Sequence, residues 1–125
     1  MTSRPRLSIL RGDIWLIAFD PTIGDEIQKT RPAVIMSVHS AYQHKLQIVV
    51  PLTSWQPKFS GDFWMIYMPM TPSNGLDKHS AANTFQVKSV SEHRFLRKLG
   101  VATADQIDEI AASITLCIGY NPPVS

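Results

Sequence analysis

Cysteine is almost absent from this chain of 125 residues, in which Cys117 is the only example. An intrachain disulfide is therefore excluded, and such sparse use of cysteine is typical of proteins in a reducing compartment. Apolar runs as long as a membrane span are also missing, and the N-terminus carries no apolar signal core. These absences predict a cytoplasmic protein that does not associate with a membrane.

A large net charge is missing as well, since 12 Lys and Arg residues face 10 Asp and Glu residues. No strong field of one sign therefore covers the whole surface. The basic residues are nevertheless grouped, and two such groups are Arg4, Arg6 and Arg11, and Arg94, Arg97 and Lys98. A basic surface that faces a polyanion is compatible with this distribution but is not required by it. The length predicts a single domain over residues 1–125, with a basic lead-in at residues 1–10.

Metal-ligand motifs are also lacking. His39 and His44 have no further ligand at metal-site spacing, and Cys117 is far away in sequence. The other two histidines, His79 and His93, lie outside any motif, although any of the four can in principle serve as an acid or a base. We therefore expect neither a metal nor another cofactor.

Short apolar runs separated by turn residues fill most of the chain. Five of them predict strands, at residues Ile14–Phe19, Ala33–Val38, Leu46–Val50, Phe63–Met68 and Ala82–Val90. The first run is apolar on both faces, as expected for a strand that is buried on both sides. Trp15 and Trp64 lie within such runs, and we assign both to the core. Several short strands in succession indicate a small barrel or a sandwich.

The C-terminal region follows a helical period. Thr103 and Gln106 have the spacing of a capping box, and apolar residues recur at helical spacing up to Ile118. Gly119 suits the position after a helix, and two prolines then block its continuation. We predict one amphipathic helix of roughly four turns, preceded by a short helical turn within residues 91–98. The predicted fold is mainly β, a small barrel of about five or more strands capped by a C-terminal α-helix.

A polar stretch of nine residues, from Gly24 to Pro32, separates the first two predicted strands. Loops of this size in compact domains are usually functional or disordered. Pro32 biases Arg31 towards an extended conformation, so a strand that starts here presents the arginine at its mouth. Arg31 then either binds a phosphate or forms a surface ion pair, and the loop alone does not decide between the two.

Several short motifs succeed one another along the chain. They are Arg11–Trp15 (Arg-Gly-Asp-Ile-Trp), Phe19-Asp20-Pro21, Gly24-Asp25-Glu26, Thr30–Val34 (Thr-Arg-Pro-Ala-Val), Val49–Ser54 (Val-Val-Pro-Leu-Thr-Ser) and, more weakly, Gln86–Val90. In this order they resemble the MazF/PemK family, the toxin half of bacterial toxin–antitoxin pairs. Any single motif is weak, whereas the first three at this spacing are fairly specific. The likeness covers residues 11 to 118.

The resemblance implies an SH3-like barrel with a C-terminal helix, a homodimer, and a metal-independent endoribonuclease that cuts single-stranded mRNA. It further implies the toxin of a type II toxin–antitoxin system, with a cognate antitoxin protein as partner. In that family the arginine before the proline and the threonine after the third strand are the usual catalytic pair. Those positions are Arg31 and Thr53 in this chain.

The sequence departs from the family pattern at a few positions. Ile27 stands where the family often has Gln, and Lys88 stands where it usually has Arg. Asn83 and Phe85 stand where some members carry an Arg and an Asp, so that acid–base variant is not available here. Lys88 keeps the charge of an arginine but loses its planar fork. These departures bear on substrate preference more than on activity.

RNA supplies its own nucleophile, because its 2′-hydroxyl can attack the adjacent phosphorus without a metal. The enzyme must hold this attack in line, move two protons and stabilise the charged phosphorane. Arg31 suits the last task, since its donors can bracket two phosphate oxygens. Thr53 can hydrogen-bond the 2′-hydroxyl or a phosphate oxygen, or it can cap a strand end. Glu26 can accept a proton if it is desolvated, or it can pair with Lys29 or Arg31.

Polar and aromatic residues of two loops and the fifth strand are candidates for reading the RNA, which proteins recognise by stacking and base-edge hydrogen bonds. These residues are Gln28, Lys29, Thr30, Ser54, Trp55, Gln86 and Lys88. Trp55 is flanked by polar residues, and it can stack on a base or fill the open end of the barrel.

Two other functions fit the same barrel. A CcdB-like toxin binds and poisons DNA gyrase through a Trp-Gly-Ile tail, and the Asn-Pro-Pro-Val-Ser ending of this chain argues against that mode. A degenerate member would bind RNA or its antitoxin without cutting, and the presence of both Arg31 and Thr53 argues against that.

Overall fold

A computed structural model of the protein describes residues 8–19, 30–38 and 45–121. Seven strands and one α-helix lie in these ranges. The strands are β1 (Asp13–Ala18), β2 (Thr30–Ile35), β3 (Leu46–Ser54), β4 (Met65–Met68), β5 (Ser80–Asn83), β6 (Lys88–Ser91) and β7 (Phe95–Val101), and the helix α1 is Ala104–Cys117. Short 3₁₀ turns lie at Pro57–Gly61, Thr84–Gln86 and Glu92–Arg94.

The strands form one antiparallel sheet in the order β4-β5-β3-β2-β1-β7, and β6 also pairs with β3. In the described ranges β4 and β7 do not pair with each other, so the predicted barrel is not closed by hydrogen bonds. The predicted class, mainly β with a C-terminal helix, is confirmed. None of the helices among the described residues is long and apolar enough to cross a membrane.

Strand β3 pairs with two successive partners along its length. Its first half pairs with β6, from Leu46↔Ser91 to Val49↔Lys88, and its last residues pair with β5, from Leu52↔Ala82 to Ser54↔Ser80. The prediction of one fifth strand over residues 82–90 is therefore wrong, because a 3₁₀ turn divides it. The side chain of Asn83 starts that turn by accepting a hydrogen bond from the backbone N–H of Phe85 at 3.2 Å.

Strand β7 replaces most of the helical turn predicted within residues 91–98. Only Glu92–Arg94 forms a 3₁₀ turn, which Ser91 caps by accepting a hydrogen bond from the backbone N–H of His93. Phe95 then turns inward and packs edge-on against Trp15, with ring centroids 5.8 Å apart. The chain continues as a strand because β1 offers it a pairing edge.

Trp64 does not belong to the core, which corrects the prediction made for it. A turn closed by a hydrogen bond from the N–H of Met65 to the carbonyl of Asp62 precedes β4, so the strand starts two residues later than predicted. The half-buried Trp64 ring packs instead against Phe63 and Phe85, which are 49% and 54% exposed.

The core is divided between the two faces of the sheet, which explains why the apolar strands lack a polar face. One cluster contains Ile14, Val34 and Val50, together with Ile110 of the helix. The other contains Trp15, Ala33, Ile35 and Val49, the sequence neighbours of those strand residues. Because successive side chains in a strand point to opposite faces, both faces of β1, β2 and β3 are buried. The assignment of Trp15 to the core is confirmed, at 6% exposure.

Helix α1 has the predicted start and end. Thr103 and Gln106 form a complete capping box, and Gly119 adopts a φ of +75°, which suits the position after a helix. The helix holds the 3₁₀ turn Thr84–Gln86 in place through the fully buried Thr84 hydroxyl, which lies 2.7 Å from Ser113 Oγ and 2.9 Å from the carbonyl oxygen of Trp64.

Candidate active site

The ladder between strands β2 and β3 ends beside Pro32. The pairing runs from Ile35↔Val49 to Ala33↔Pro51 and goes no further. The next hydrogen-bonded pair of this register would join Pro32 to Leu52, and Pro32 lacks the N–H that this pair needs. The same register continued by two residues would set Arg31 opposite Thr53, and both residues border the opening beyond the end of the ladder.

A groove of about 560 Å³ occupies this opening, and we call it the main groove. Its wall consists of Thr30–Pro32 of β2, Leu52–Ser54 of β3, Leu16 of β1, the segment 75–78, Ser80, and Arg97 and Leu99 of β7. A smaller hollow of about 220 Å³, the side hollow, is lined by Arg31, Pro51, Leu52, Thr53, Asn83 and Gln86. Arg31 and Thr53 line both spaces.

As far as the described residues go, the polar ends of Arg31 and Thr53 are open to a ligand. Both residues are half-buried, and their backbones belong to β2 and β3. In the part of the chain that the structure describes, no hydrogen bond or ion pair occupies the guanidinium of Arg31 or the hydroxyl of Thr53. Thr53 therefore does not act as the cap of its strand end within that part. A phosphate placed between the two strands has a fork of N–H donors on one side and a hydroxyl on the other.

Three of the predicted RNA-binding residues lie beside this pair. Thr30 and Ser54 line the main groove. Gln86 is exposed at the end of its 3₁₀ turn and lines the side hollow next to Asn83. The convergence of the second strand, the end of the third strand and the Gln86 segment is therefore present in the structure.

Two predicted RNA-binding residues lie apart from both spaces. Trp55 packs against Tyr67 and Phe59, with ring centroids 4.8 Å and 5.9 Å away. The ammonium group of Lys88 lies 5.0 Å from the centroid of the Phe19 ring. Neither residue lines the main groove or the side hollow, so a role for either in RNA binding stays a prediction.

Glu26, Gln28 and Lys29 lie outside the described residues, as does most of the stretch from Gly24 to Pro32. Their predicted parts as proton acceptor and RNA ligands stay predictions. Among the residues that are described, no group of three or more His, Cys, Asp or Glu side chains is placed to hold a metal ion.

The sequence analysis missed three charged residues of the main groove, namely Asp77, Lys78 and Arg97. Asp77 and Lys78 follow a turn that has no motif of its own. Arg97 stands beside Lys98 in sequence, and no pattern separates their roles. Only the strand register shows that Arg97 reaches the groove, whereas Lys98 Nζ lies 3.3 Å from the carboxylate of Asp13, which is buried.

Comparison with known proteins adds independent information. Residues 10–118 match the family described as PemK-like, MazF-like toxin of type II toxin–antitoxin system. The endoribonuclease MazF9 of Mycobacterium tuberculosis is 30% identical over 112 residues, which is 85% of this chain and 92% of that protein. The endoribonuclease toxin ChpB of Escherichia coli is 31% identical over 103 residues, or 79% of this chain and 84% of ChpB.

A solved structure shares the fold. The crystal structure of MazE–MazF from Deinococcus radiodurans aligns with a TM-score of 0.74 at 22% sequence identity. The alignment covers 93% of this chain and all of the matched chain. The arrangement of strands and helix described above is therefore that of a MazF chain.

Proposed function

The chain belongs to the PemK-like, MazF-like toxins of type II toxin–antitoxin systems, and on this premise we propose that it is a metal-independent endoribonuclease that cuts single-stranded mRNA. The observation that carries the proposal is the placement of Arg31 and Thr53 on the two sides of the opening between β2 and β3. Such an opening admits a flexible single strand, whose phosphate then lies between an arginine and a hydroxyl. We place this activity in the cytoplasm, where mRNA lies.

The cleavage uses only atoms of the RNA as reacting centres. The 2′-oxygen forms a bond to the adjacent phosphorus as it loses its proton, and the bond from phosphorus to the 5′-oxygen breaks. The leaving 5′-oxygen takes up a proton, so the products are a 2′,3′-cyclic phosphate and a 5′-hydroxyl. Arg31 stabilises the charge on the phosphorane oxygens. Thr53 positions the 2′-hydroxyl or a phosphate oxygen for in-line attack.

Glu26 is our candidate for the group that takes the proton from the 2′-hydroxyl, because it lies in the loop that leads to Arg31. Gln28, Lys29 and Thr30 on the same segment, with Ser54 and Gln86 across the opening, are the proposed ligands of the flanking nucleotides. Thr30, Ser54 and Gln86 support this assignment by lining the two spaces beside Arg31.

Purified protein should cut a long single-stranded RNA in the presence of EDTA, and mapping the cuts identifies a cleavage site. An oligonucleotide with this site but one 2′-deoxy or 2′-O-methyl sugar at the attacking position should be inert, because its nucleophile is missing. Gel analysis measures cleavage, and the ends of the products are checked for the cyclic phosphate. Equal cutting of the modified and the unmodified strands would rule out attack by the 2′-hydroxyl.

We further propose a homodimer and a cognate antitoxin as the protein partners. The helix end leaves apolar side chains uncovered, with Leu116 and Ile118 exposed by 55% and 72%, and Phe63 and Tyr67 are about half exposed. A small domain gains stability by burying such surface against a second copy. Sedimentation velocity at micromolar concentration should therefore give a dimer, and a monomer alone would contradict the proposal.

A further inference from the structure

A second part of the main groove, formed by residues 75–78 and by Arg97 and Leu99 of β7, is also cationic, and we call it the second end. Lys78 and Arg97 line this end, and both are exposed. We propose that they bind phosphates of the RNA that flank the one held by Arg31. This inference rests on the proposed function of the groove, which it extends from a single phosphate to a longer stretch of the strand.

The register of the sheet places Arg97 on the same face as Leu16 and Pro32, which also line the main groove. Arg97 is paired with Leu16 of β1, and Leu16 is paired with Pro32 of β2. Directly opposite residues of antiparallel strands lie on the same face, and neighbouring strands are about 4.8 Å apart. The backbone of Arg97 therefore lies about two strand spacings from that of Pro32, on the far side of β1. Arg31 precedes Pro32, so its side chain starts from the opposite face of β2, and both arginines nevertheless line the main groove.

Lys78 is carried by a segment that is firmly attached to β7. The side chain of Asn74, which is 2% exposed, accepts hydrogen bonds from the N–H groups of Thr71 and Leu76 and donates one to the carbonyl of Pro69. The N–H of Val101 donates to the carbonyl of Ser73 at 3.0 Å. These bonds fix the turn that leads into Lys78 against the strand that carries Arg97.

Two glycines permit the close approach of this turn to β7. A Cβ at Gly75 would lie 2.0 Å from the carbonyl oxygen of Leu99, and one at Gly100 would lie 2.3 Å from that of Ser73. Gly75 also adopts a φ of +67°, which disfavours other residues. The fold therefore fixes the shape of the second end of the groove. Its two cations lie on segments that hydrogen bonds and close backbone packing hold together.

The charges at this end suit a polyanion. Within the ranges that the structure covers, neither Lys78 nor Arg97 has a carboxylate partner within ion-pair distance, in contrast to Lys98 with its buried partner Asp13. Among the described residues that line the groove, Asp77 is the one carboxylate, and three cations outnumber it. RNA is the favoured ligand over an acidic protein segment because the groove is continuous with the Arg31 and Thr53 end.

A binding experiment with an uncleavable RNA tests the proposal. The probe is a 2′-O-methyl oligonucleotide of mixed sequence, long enough to fill the groove, and its affinity is measured over a range of salt concentrations. Lys78→Ala and Arg97→Ala should each weaken binding about three- to tenfold at low salt. Each should also reduce the slope of log affinity against log salt by about 0.7, the value for one phosphate contact on a single strand.

Matched variants separate a local contact from the loss of net charge. Lys58→Ala and Arg11→Ala remove exposed cations that lie outside the groove, and both should leave the affinity and the salt slope unchanged. Asp77→Asn removes the one carboxylate found among the described lining residues and should tighten binding. Equal losses in the groove variants and the control variants would overturn the proposal.

Cleavage kinetics supply a second readout. On a long RNA, Lys78→Ala and Arg97→Ala should raise KM and leave kcat unchanged, because they remove contacts made equally in the ground state and the transition state. On a dinucleotide that contains only the cleaved phosphate, both variants should equal the wild type. A loss on the dinucleotide as large as that on the long RNA would contradict a flanking contact.

Failure of this inference can be told apart from failure of the proposed function. If the wild type cuts RNA and the groove variants keep its KM and salt slope, only the inference is wrong. If the wild type does not cut RNA but the variants lose oligonucleotide binding as described, only the catalytic proposal is wrong. If the variants lose binding to polyglutamate and keep binding to the oligonucleotide, this end is a site for an acidic protein, and the inference is overturned.

Discussion

Alanine in place of Arg31 should abolish RNA cleavage while leaving the fold intact. Arg31 is half-buried and lines both the main groove and the side hollow, where we propose that the phosphorane charge develops. Loss of one such preorganised donor costs about 10²–10³ in kcat, and we expect Arg31→Ala to lose at least that much. Arg31→Lys should restore little of this, because a point charge cannot replace the planar fork.

The measurement combines thermal unfolding with cleavage of the same RNA on the same preparations. Arg11→Ala is a matched control, since Arg11 is exposed and lies outside both spaces; it should retain wild-type activity. If Arg31 were only part of a structural ion pair, Arg31→Ala would lower the melting temperature and keep its activity per folded molecule. If folded Arg31→Ala protein cleaves RNA as fast as the wild type, Arg31 is not a catalytic residue.

Valine at position 53 should remove nearly all activity, whereas serine should retain part of it. The hydroxyl of Thr53 has no hydrogen-bond partner elsewhere in the described ranges, so its loss leaves no buried partner unsatisfied and should not destabilise the fold. Thr53→Val keeps the shape of the side chain, and Thr53→Ser keeps the hydroxyl. The ratio of their kcat values, measured with melting temperatures, therefore reports on the hydroxyl itself.

A double mutant shows whether the two residues serve one transition state. If they do, Arg31→Ala combined with Thr53→Val should be little worse than the more damaged single mutant, because residues that act as a unit are strongly non-additive. Additive losses in kcat would mean that Arg31 and Thr53 act in separate steps or that one of them acts only on binding.

The sequence was sufficient to predict features that depend on neighbouring residues. The capping box of Thr103 and Gln106, the burial of Trp15 and the start of a strand beside Arg31 all follow from local spacing and composition. The predicted convergence of Arg31, Thr53 and Gln86 came from their family motifs and not from any periodicity. The three residues do line adjoining spaces.

Features set by distant partners were not predictable in this way. The break of the fifth strand depends on Thr84, whose hydroxyl meets Ser113 of the helix, 29 positions later. Strand β7 was missed because Arg97 and Lys98, adjacent charges within it, suggest an exposed turn. Their separate environments exist only once β7 pairs with β1, and no single-sequence pattern encodes that register.

The bond between Thr84 and Ser113 also bears on the order in which a ribosome releases this chain. Arg31 and Thr53 emerge early, but the turn that carries Gln86 has its helix partner only after Ser113 has been synthesised. Domains fold as units during synthesis, once the segments that stabilise them are available. A nascent chain therefore carries an incomplete site until Ser113 has emerged. The messenger RNA being translated beside it meets the finished nuclease only after that residue has left the exit tunnel.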